Sequence, residues 1–251
     1  MKKVWITAYD VSSATVSIES GVDGILVGDS LGMTVYGFDS TREVTVEIMC
    51  RHFEAVYKIY KKNNSDIQLV LDFPFGTTDN ILIAVETAEK FKNIGANCFK
   101  LEGGKEIISI ILELISRGFE IVGHLGLRPQ TSELQLHART EAEQNELLET
   151  IKIFDDIGVK NIVLECVPAD FAQRAQKIFS GDIIGIGAGR NVNAQILVFD
   201  DVIGKTHSDF QPKFLRRFGN IFEHSVNAVK NYKSAVLADN EESFPSDTES
   251  Y

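Results

Sequence analysis

Six ionisable side chains could take part in chemistry, because each lies at or near the end of a short apolar run. They are Asp29, Asp72, Lys100, Glu102, His124 and Glu165, and Ser30 follows the first of them. The carboxyl ends of parallel strands meet at one face of an α/β fold, so these side chains are expected to converge. Three carboxylates there would repel one another without a cation, and oxygen ligands suit Mg²⁺ better than zinc. We therefore predict a Mg²⁺ site formed by Asp29, Asp72 and Glu102.

Such a metal could chelate a substrate with adjacent oxygens, such as a 2-oxo acid, and make the neighbouring C–H more acidic. A lysine, a histidine or a glutamate could then remove the proton. The side chains also have structural interpretations: a strand-end acid often caps a turn, Lys100 could pair with Glu102, and His124 could be a hydrogen-bonded rim residue. Glu165 is harder to explain in this way, because a carboxylate after the run Ile162–Leu164 is costly to bury. The convergence of six such groups favours an active site.

The elements that would position these side chains alternate along the chain. Eight apolar runs are predicted as strands: Val4–Ala8, Gly24–Val27, Ile67–Leu71, Cys98–Leu101, Glu120–Gly123, Asn161–Leu164, Ile183–Ile186 and Ile196–Phe199. The segments between them carry apolar residues at helical spacing, for example Met49, Phe53 and Val56. Alternating strands and helices indicate parallel pairing with right-handed crossovers. Eight units predict a single-domain α/β fold, the (β/α)8 TIM barrel, with the helix Ser13–Ser20 as one of its least regular parts.

Composition fits this fold and argues against several classes of protein. The chain has 251 residues, a size typical of one (β/α)8 barrel; we place the catalytic barrel domain at 1–238 and expect the acidic residues 239–251 to form a flexible C-terminal tail. A net charge of -11 argues against a nucleic-acid surface. No apolar run approaches a membrane span, and the first ten residues do not fit a signal peptide. Three widely spaced cysteines indicate a reduced, cytoplasmic protein.

The segment Gly185–Gly189, GIGAG, resembles a dinucleotide-binding loop only superficially. It falls late in the chain, lacks the full glycine spacing and has no acid at the expected later position. We therefore predict no NAD site.

Longer motifs resemble the ketopantoate hydroxymethyltransferase (3-methyl-2-oxobutanoate hydroxymethyltransferase) family. The matching blocks run in order from Ile6 to Asp201: ITAYD, ILVGDSLGM, DFPF, KLEGG, GHLGLRPQ, LECVP, IGIGAG and QILVFDD. VGDSLGM and GHLGL are far more specific to this family than any single short pattern. The resemblance implies a (β/α)8 barrel that assembles as a homodecamer.

The resemblance also implies a reaction. A hydroxymethyl group would move from 5,10-methylenetetrahydrofolate, as co-substrate, to C3 of 3-methyl-2-oxobutanoate with Mg²⁺, giving 2-dehydropantoate (ketopantoate) in pantothenate biosynthesis. The residues implied to hold the metal are Asp29, Asp72 and Glu102. Those implied to bind the substrate are Asp29, Ser30, Asp72, Lys100 and His124, and Glu165 is implied to transfer the proton.

One segment departs from the family pattern. After GLRPQ the family usually carries a glycine-rich stretch with a Lys-Val-Gln-Gly core, whereas Thr131–Thr140 is shorter and contains no glycine. We expect metal and oxo-acid binding to be retained, and folate binding or closure of the site to be altered.

Two other functions are consistent with parts of this sequence. The first is an Mg²⁺-dependent enolate lyase or mutase of the isocitrate lyase and phosphoenolpyruvate mutase type; such lyases usually carry a Lys-Lys-Cys-Gly-His loop, which this sequence lacks. The second is a degenerate, non-catalytic paralogue. The presence of every expected acid and base argues against it.

Overall fold

The computed structural model describes residues 1–63, 65–130, 136–205, 212–238 and 243–249. Eight parallel strands close into a barrel in chain order, and the last strand pairs with the first. The strands are β1 (Lys3–Thr7), β2 (Gly24–Val27), β3 (Gln68–Asp72), β4 (Cys98–Glu102), β5 (Glu120–Gly126), β6 (Asn161–Glu165), β7 (Asp182–Ile186) and β8 (Ala194–Leu197). The predicted (β/α)8 barrel is confirmed.

Helices surround this barrel and follow its strands. They are α1 (Val11–Glu19), α2 (Leu31–Thr34), α3 (Val46–Lys62), α4 (Ile81–Asn93), α5 (Ile108–Ser116), α6 (Glu141–Asp156) and α7 (Ala169–Ile178). Two further helices, α8 (Phe199–Ile203) and α9 (Ile221–Leu237), come after β8 in the sequence. The first helix begins two residues earlier than the predicted Ser13, because the Asp10 side chain accepts a hydrogen bond from the Ser13 N–H at 2.7 Å and caps the helix.

The chain divides into two compact units, Met1–Phe199 and Asp200–Tyr251. The barrel strands all lie in the first unit, and α9 lies in the second. The division at 238 and 239 stays a prediction; residues 239–242 and 250–251 of the expected tail lie outside the described residues. In the part of the chain that the structure describes, no helix is long and apolar enough to cross a membrane.

The interior of the barrel is filled by one or two side chains from every strand. They are Trp5, Leu26, Val70, Cys98, Val122, Val163, Ile184, Ala194 and Ile196. Side chains alternate between the two faces of a strand, so the residue two positions later faces inward again. Val70 is followed in this way by Asp72, and Val122 by His124. The same spacing carries the polar ends of β4 and β6 into the mouth of the barrel, which is why these groups meet.

The large Trp5 side chain is packed inside the barrel against a glycine of the neighbouring strand. Trp5 and Gly24 are register partners, and Trp5 is 5% exposed. A Cβ atom at Gly24 would lie 2.2 Å from Cδ2 of the indole ring. The absence of a side chain at Gly24 therefore provides the space that the ring occupies.

We expect Gly24→Ala to lower the free energy of unfolding by about 1–3 kcal/mol, because the methyl group forces the Trp5 ring out of its packed position. Guanidinium unfolding followed by circular dichroism measures the loss. The double variant Gly24→Ala/Trp5→Leu tests the cause, since the smaller side chain leaves room for the methyl group. The double variant should lose less free energy of unfolding than the two single variants lose together. Strictly additive losses would contradict the packing explanation.

Candidate active site

A buried ion pair joins the carboxyl ends of β3 and β4. Asp72 and Lys100 are register partners, and Lys100 Nζ lies 2.8 Å from Asp72 Oδ1. Both side chains are almost completely buried. Burial lowers the pKa of Lys100, but the nearby carboxylates of Asp72, Asp29 and Glu102 outweigh it and the pKa is raised. Lys100 is therefore an ammonium ion held at the mouth of the barrel.

Asp29 lies two residues after the end of β2 and contacts Asp72 of the same pair. Its backbone N–H donates to Asp72 Oδ2 at 3.0 Å. Burial raises the pKa of Asp29 to about 7; the Asp72 charge adds to the rise, while Lys100 and a hydrogen bond from Gln130 oppose it. Two carboxylates so close together and so deeply buried create a site that favours a cation.

His124 connects the ion pair to two glutamates. Its Nδ1 lies 3.2 Å from Lys100 Nζ and 3.4 Å from Glu102 Oε2, and its Nε2 lies 3.2 Å from Glu165 Oε2. Burial and the Lys100 charge lower the pKa of His124. The contacts with Glu102 and Glu165 raise it by more, so the net shift of the pKa is upward. Neutral His124 can accept from Lys100 at Nδ1 while its Nε2–H donates to Glu165. The His124 side chain therefore holds the Glu165 carboxylate in a fixed orientation.

Glu165 ends β6 at the most accessible point of this network. Its side chain is 16% exposed, compared with 2–6% for Asp72, Lys100, Glu102 and His124. Its register partner is Gly126, which has a φ of 88°. A Cβ atom at Gly126 would lie 2.2 Å from the Glu165 carbonyl oxygen, so only glycine fits here. The backbone of β5 thus approaches β6 closely at the residue that presents the carboxylate.

Ser30 follows Asp29 at the start of α2, and its Oγ is buried without a hydrogen-bond partner among the described residues. A methyl group at Gly28 would lie 3.5 Å from Ser30 Oγ and 3.4 Å from Asp72 Oδ2. The hydroxyl and the carboxylate therefore flank the same small space. An unpartnered buried hydroxyl in such a place favours a polar ligand.

The donor set of Asp29, Asp72 and Glu102 fits Mg²⁺ chemically, since it consists of buried carboxylate oxygens. Within the described ranges, no three His, Cys, Asp or Glu side chains are already spaced to enclose a metal ion. Mg²⁺ does not require this, because it is commonly held by one or two carboxylates and keeps water and substrate oxygens in its other positions. The unpartnered Ser30 hydroxyl and the raised pKa of Asp29 agree with a cation and an oxygen-rich ligand at this end of the barrel.

All seven residues predicted from the sequence thus lie at one rim, and six form a continuous set of contacts. Gln130 was not predicted, although its side chain donates to Asp29 Oδ2 at 2.7 Å. The signal was its place at the end of the GHLGLRPQ block, four residues after the end of β5. Of the glycine-free segment Thr131–Thr140, residues 131–135 lie outside the described residues.

The sequence of this chain is similar to those of known proteins. The sequence profile of ketopantoate hydroxymethyltransferase matches residues 1–247. Proteins named 3-methyl-2-oxobutanoate hydroxymethyltransferase from Syntrophus aciditrophicus, Pyrobaculum arsenaticum and Thermus thermophilus are 36%, 39% and 37% identical to this chain. The alignments cover 97%, 93% and 96% of this chain and 91%, 88% and 94% of the relatives.

Solved structures with much lower identity share the fold. Phosphonopyruvate hydrolase in complex with oxalate and Mg²⁺ has a TM-score of 0.60 at 14% identity, covering 99% of this chain and 88% of that one. The lyase that acts on 2,3-dimethylmalate has a TM-score of 0.59 at 15% identity, covering 95% and 83%. These likenesses concern the barrel alone, whereas the profile and the relatives match almost the full sequence. The chain belongs to the ketopantoate hydroxymethyltransferase family.

Proposed function

We propose that this chain transfers a hydroxymethyl group from 5,10-methylenetetrahydrofolate to C3 of 3-methyl-2-oxobutanoate, giving ketopantoate for pantothenate biosynthesis. Membership of a hydroxymethyltransferase family supports the reaction. The observation that carries the assignment of residues is the unbroken set of contacts from Asp29 through Asp72, Lys100 and His124 to Glu165. It links a cation-favouring end of the rim to an accessible carboxylate that can take a proton.

The substrate would bind at the buried end of this network. Asp29, Asp72 and Glu102 would hold Mg²⁺, which when bound polarises the keto oxygen and makes the C3 proton more acidic. Lys100 supplies a fixed positive charge for the carboxylate or the enolate oxygen of the substrate. Ser30 Oγ, which lacks a partner among the described residues, would donate to the same oxygens.

Glu165 would remove the C3 proton, and His124 would orient it. The C3–H bond breaks, its electron pair becomes the enolate, and the proton moves to a Glu165 oxygen. The hydrogen bond between His124 Nε2 and Glu165 Oε2 holds the carboxylate in position during this transfer. The methylene carbon of the folate then gains one bond to the enolate carbon and one to the oxygen of a water molecule, which becomes the new hydroxyl group. Its two bonds to nitrogen break, and the two nitrogens take up the C3 proton and one proton of that water.

Hydrogen exchange at C3 tests the first step without the folate. In D₂O with Mg²⁺, we expect the protein to exchange the C3 proton of 3-methyl-2-oxobutanoate, followed as loss of its NMR signal. Glu165→Gln should slow the exchange about 10²- to 10⁴-fold, because the amide cannot accept the proton. Glu141→Gln is the matched control, since Glu141 is exposed on α6 and its change should leave the rate unaltered.

Adding 5,10-methylenetetrahydrofolate then tests the transfer itself. A hydroxymethyl product supports the proposed reaction. Exchange without product would contradict the assignment of the folate as donor and would point to the altered segment Thr131–Thr140 or to another electrophile. Absence of exchange in folded protein would contradict the proton-transfer mechanism and favour the non-catalytic paralogue.

We also propose a cytoplasmic location and a homo-oligomer, a homodecamer by family resemblance. The three cysteines are free thiols in the structure, which suits a reducing compartment. The described helix α9 has no buried residue, although Phe222, Val229, Tyr232 and Val236 share one of its faces. Contiguous exposed apolar side chains of this kind mark surfaces that associate.

Light scattering after size-exclusion chromatography tests the association. We expect the protein to elute at a multiple of its 27.9 kDa chain mass. Val229→Glu should reduce the mass, because it places a charge in the apolar face that would be covered. Lys230→Glu, an exposed position beside it, is the control and should leave the mass unchanged. A monomeric wild-type protein would contradict the proposal.

A further inference from the structure

Gln130 touches the carboxyl ends of three successive strands, although it follows a fourth. Its Nε2 donates to Asp29 Oδ2 at 2.7 Å and to the Phe73 carbonyl oxygen at 3.0 Å. Its backbone N–H donates to Glu102 Oε1 at 3.0 Å. These acceptors lie after β2, after β3 and at the end of β4, and Gln130 itself lies after β5. The residue is 5% exposed.

The two side-chain hydrogen bonds determine how the amide is oriented. Only the NH₂ group of a glutamine can donate, and the Phe73 carbonyl oxygen can only accept. The amide nitrogen therefore points to Asp29 and Phe73 and keeps one oxygen of the Asp29 carboxylate in a fixed position. The backbone N–H does the same for one oxygen of Glu102. One residue thus orients two of the three carboxylates that are proposed to hold the metal.

Gln130 is itself held from outside the barrel mouth. Arg42 Nε donates to the Gln130 carbonyl oxygen at 2.6 Å. The guanidinium group lies 5.3 Å from the centroid of the Phe75 ring, which stabilises its position through a cation–π contact. The hydrogen bond spans 88 positions of the chain and connects the turn before α3 to the loop after β5. These contacts of Arg42 are with Gln130 and Phe75 and not with the carboxylates, so Arg42 supports Gln130 from outside the metal site.

We propose that Gln130 is a positioning residue of the metal site, orienting Asp29 and Glu102 for a divalent cation, and that Arg42 supports it. This rests on the proposed function, which assigns the cation to Asp29, Asp72 and Glu102. Partners of metal-ligating carboxylates fix the ligands before the metal binds and so raise its affinity. Gln130 acts through the ligands and does not need to touch the substrate.

Binding of Mn²⁺ tests the proposal in the absence of substrate and turnover. Mn²⁺ prefers the same oxygen ligands and octahedral geometry as Mg²⁺, and the electron paramagnetic resonance signal of the free ion reports the fraction bound. Gln130→Met keeps the length of the side chain and removes both donors. We expect it to raise the Kd for Mn²⁺ about 10- to 100-fold and to change the spectrum of the bound ion. Arg42→Met should raise the Kd by a smaller factor.

Gln176→Met is the matched control, because it removes a part-buried amide with a similar number of hydrogen bonds. Gln176 Nε2 donates to the Gly181 carbonyl oxygen at 3.0 Å, and its Oε1 accepts from the N–H groups of Ile183 and Asn193. These partners lie next to the amino ends of β7 and β8, at the other end of the barrel. The variant should lower thermal stability and leave the Kd for Mn²⁺ unchanged.

The outcomes separate the inference from the proposed function. An unchanged Kd in folded Gln130→Met would overturn the role of Gln130 and leave the proposed reaction intact. An equal increase of the Kd for Mn²⁺ in Gln176→Met would also overturn the role of Gln130, since the effect would then come from general destabilisation of the protein. If Gln130→Met does not fold, Arg42→Met decides, and an unchanged Kd in that variant would contradict the proposal. Failure of the wild-type protein to bind Mn²⁺ would contradict the metal site itself.

Discussion

Charge inside a folded protein has to be neutralised where it lies, and this requirement organises the carboxyl end of the barrel. Lys100 and Asp72 satisfy each other across neighbouring strands at 2.8 Å. Removing one member of such a buried pair leaves an uncompensated charge at a cost of about 3–5 kcal/mol. The remaining acids need donors of their own: His124 supplies one to Glu165, and Gln130 supplies them to Glu102 and Asp29. The rim is therefore one electrostatic unit in which no member is placed independently.

The barrel and the convergence of the site residues followed from local rules. Parallel pairing brings all strand ends to one face, and the alternation of side chains along a strand decides which residues turn inward. Those two rules are sufficient to bring Asp72, Lys100, His124 and Glu165 together. The roles of these residues in metal binding and proton transfer stay predictions, because geometry shows which groups meet and not which of them react.

Other features depended on tertiary contacts that leave little trace in the sequence. A glutamine between a proline and a threonine gives no periodic signal, and the contact of Arg42 with Gln130 joins positions 88 residues apart. Ala138 is another example: it is buried with a φ of 56°, a conformation that normally favours glycine, in a segment whose sequence contains none. Backbone conformations of this kind are determined by the packing around them.

The close approach of β5 to β6 at Gly126 also limits how this site can be changed. A side chain there would displace the backbone of Glu165, so a redesign for bulkier oxo acids cannot begin at the end of β5 without moving the carboxylate. Gly28 offers the opposite situation, because an added methyl group would meet Asp72 and Ser30 at ordinary contact distances of 3.4 and 3.5 Å. A side chain can therefore be added at Gly28 on the β2 side of the mouth, whereas Gly126 on the β5 side admits none.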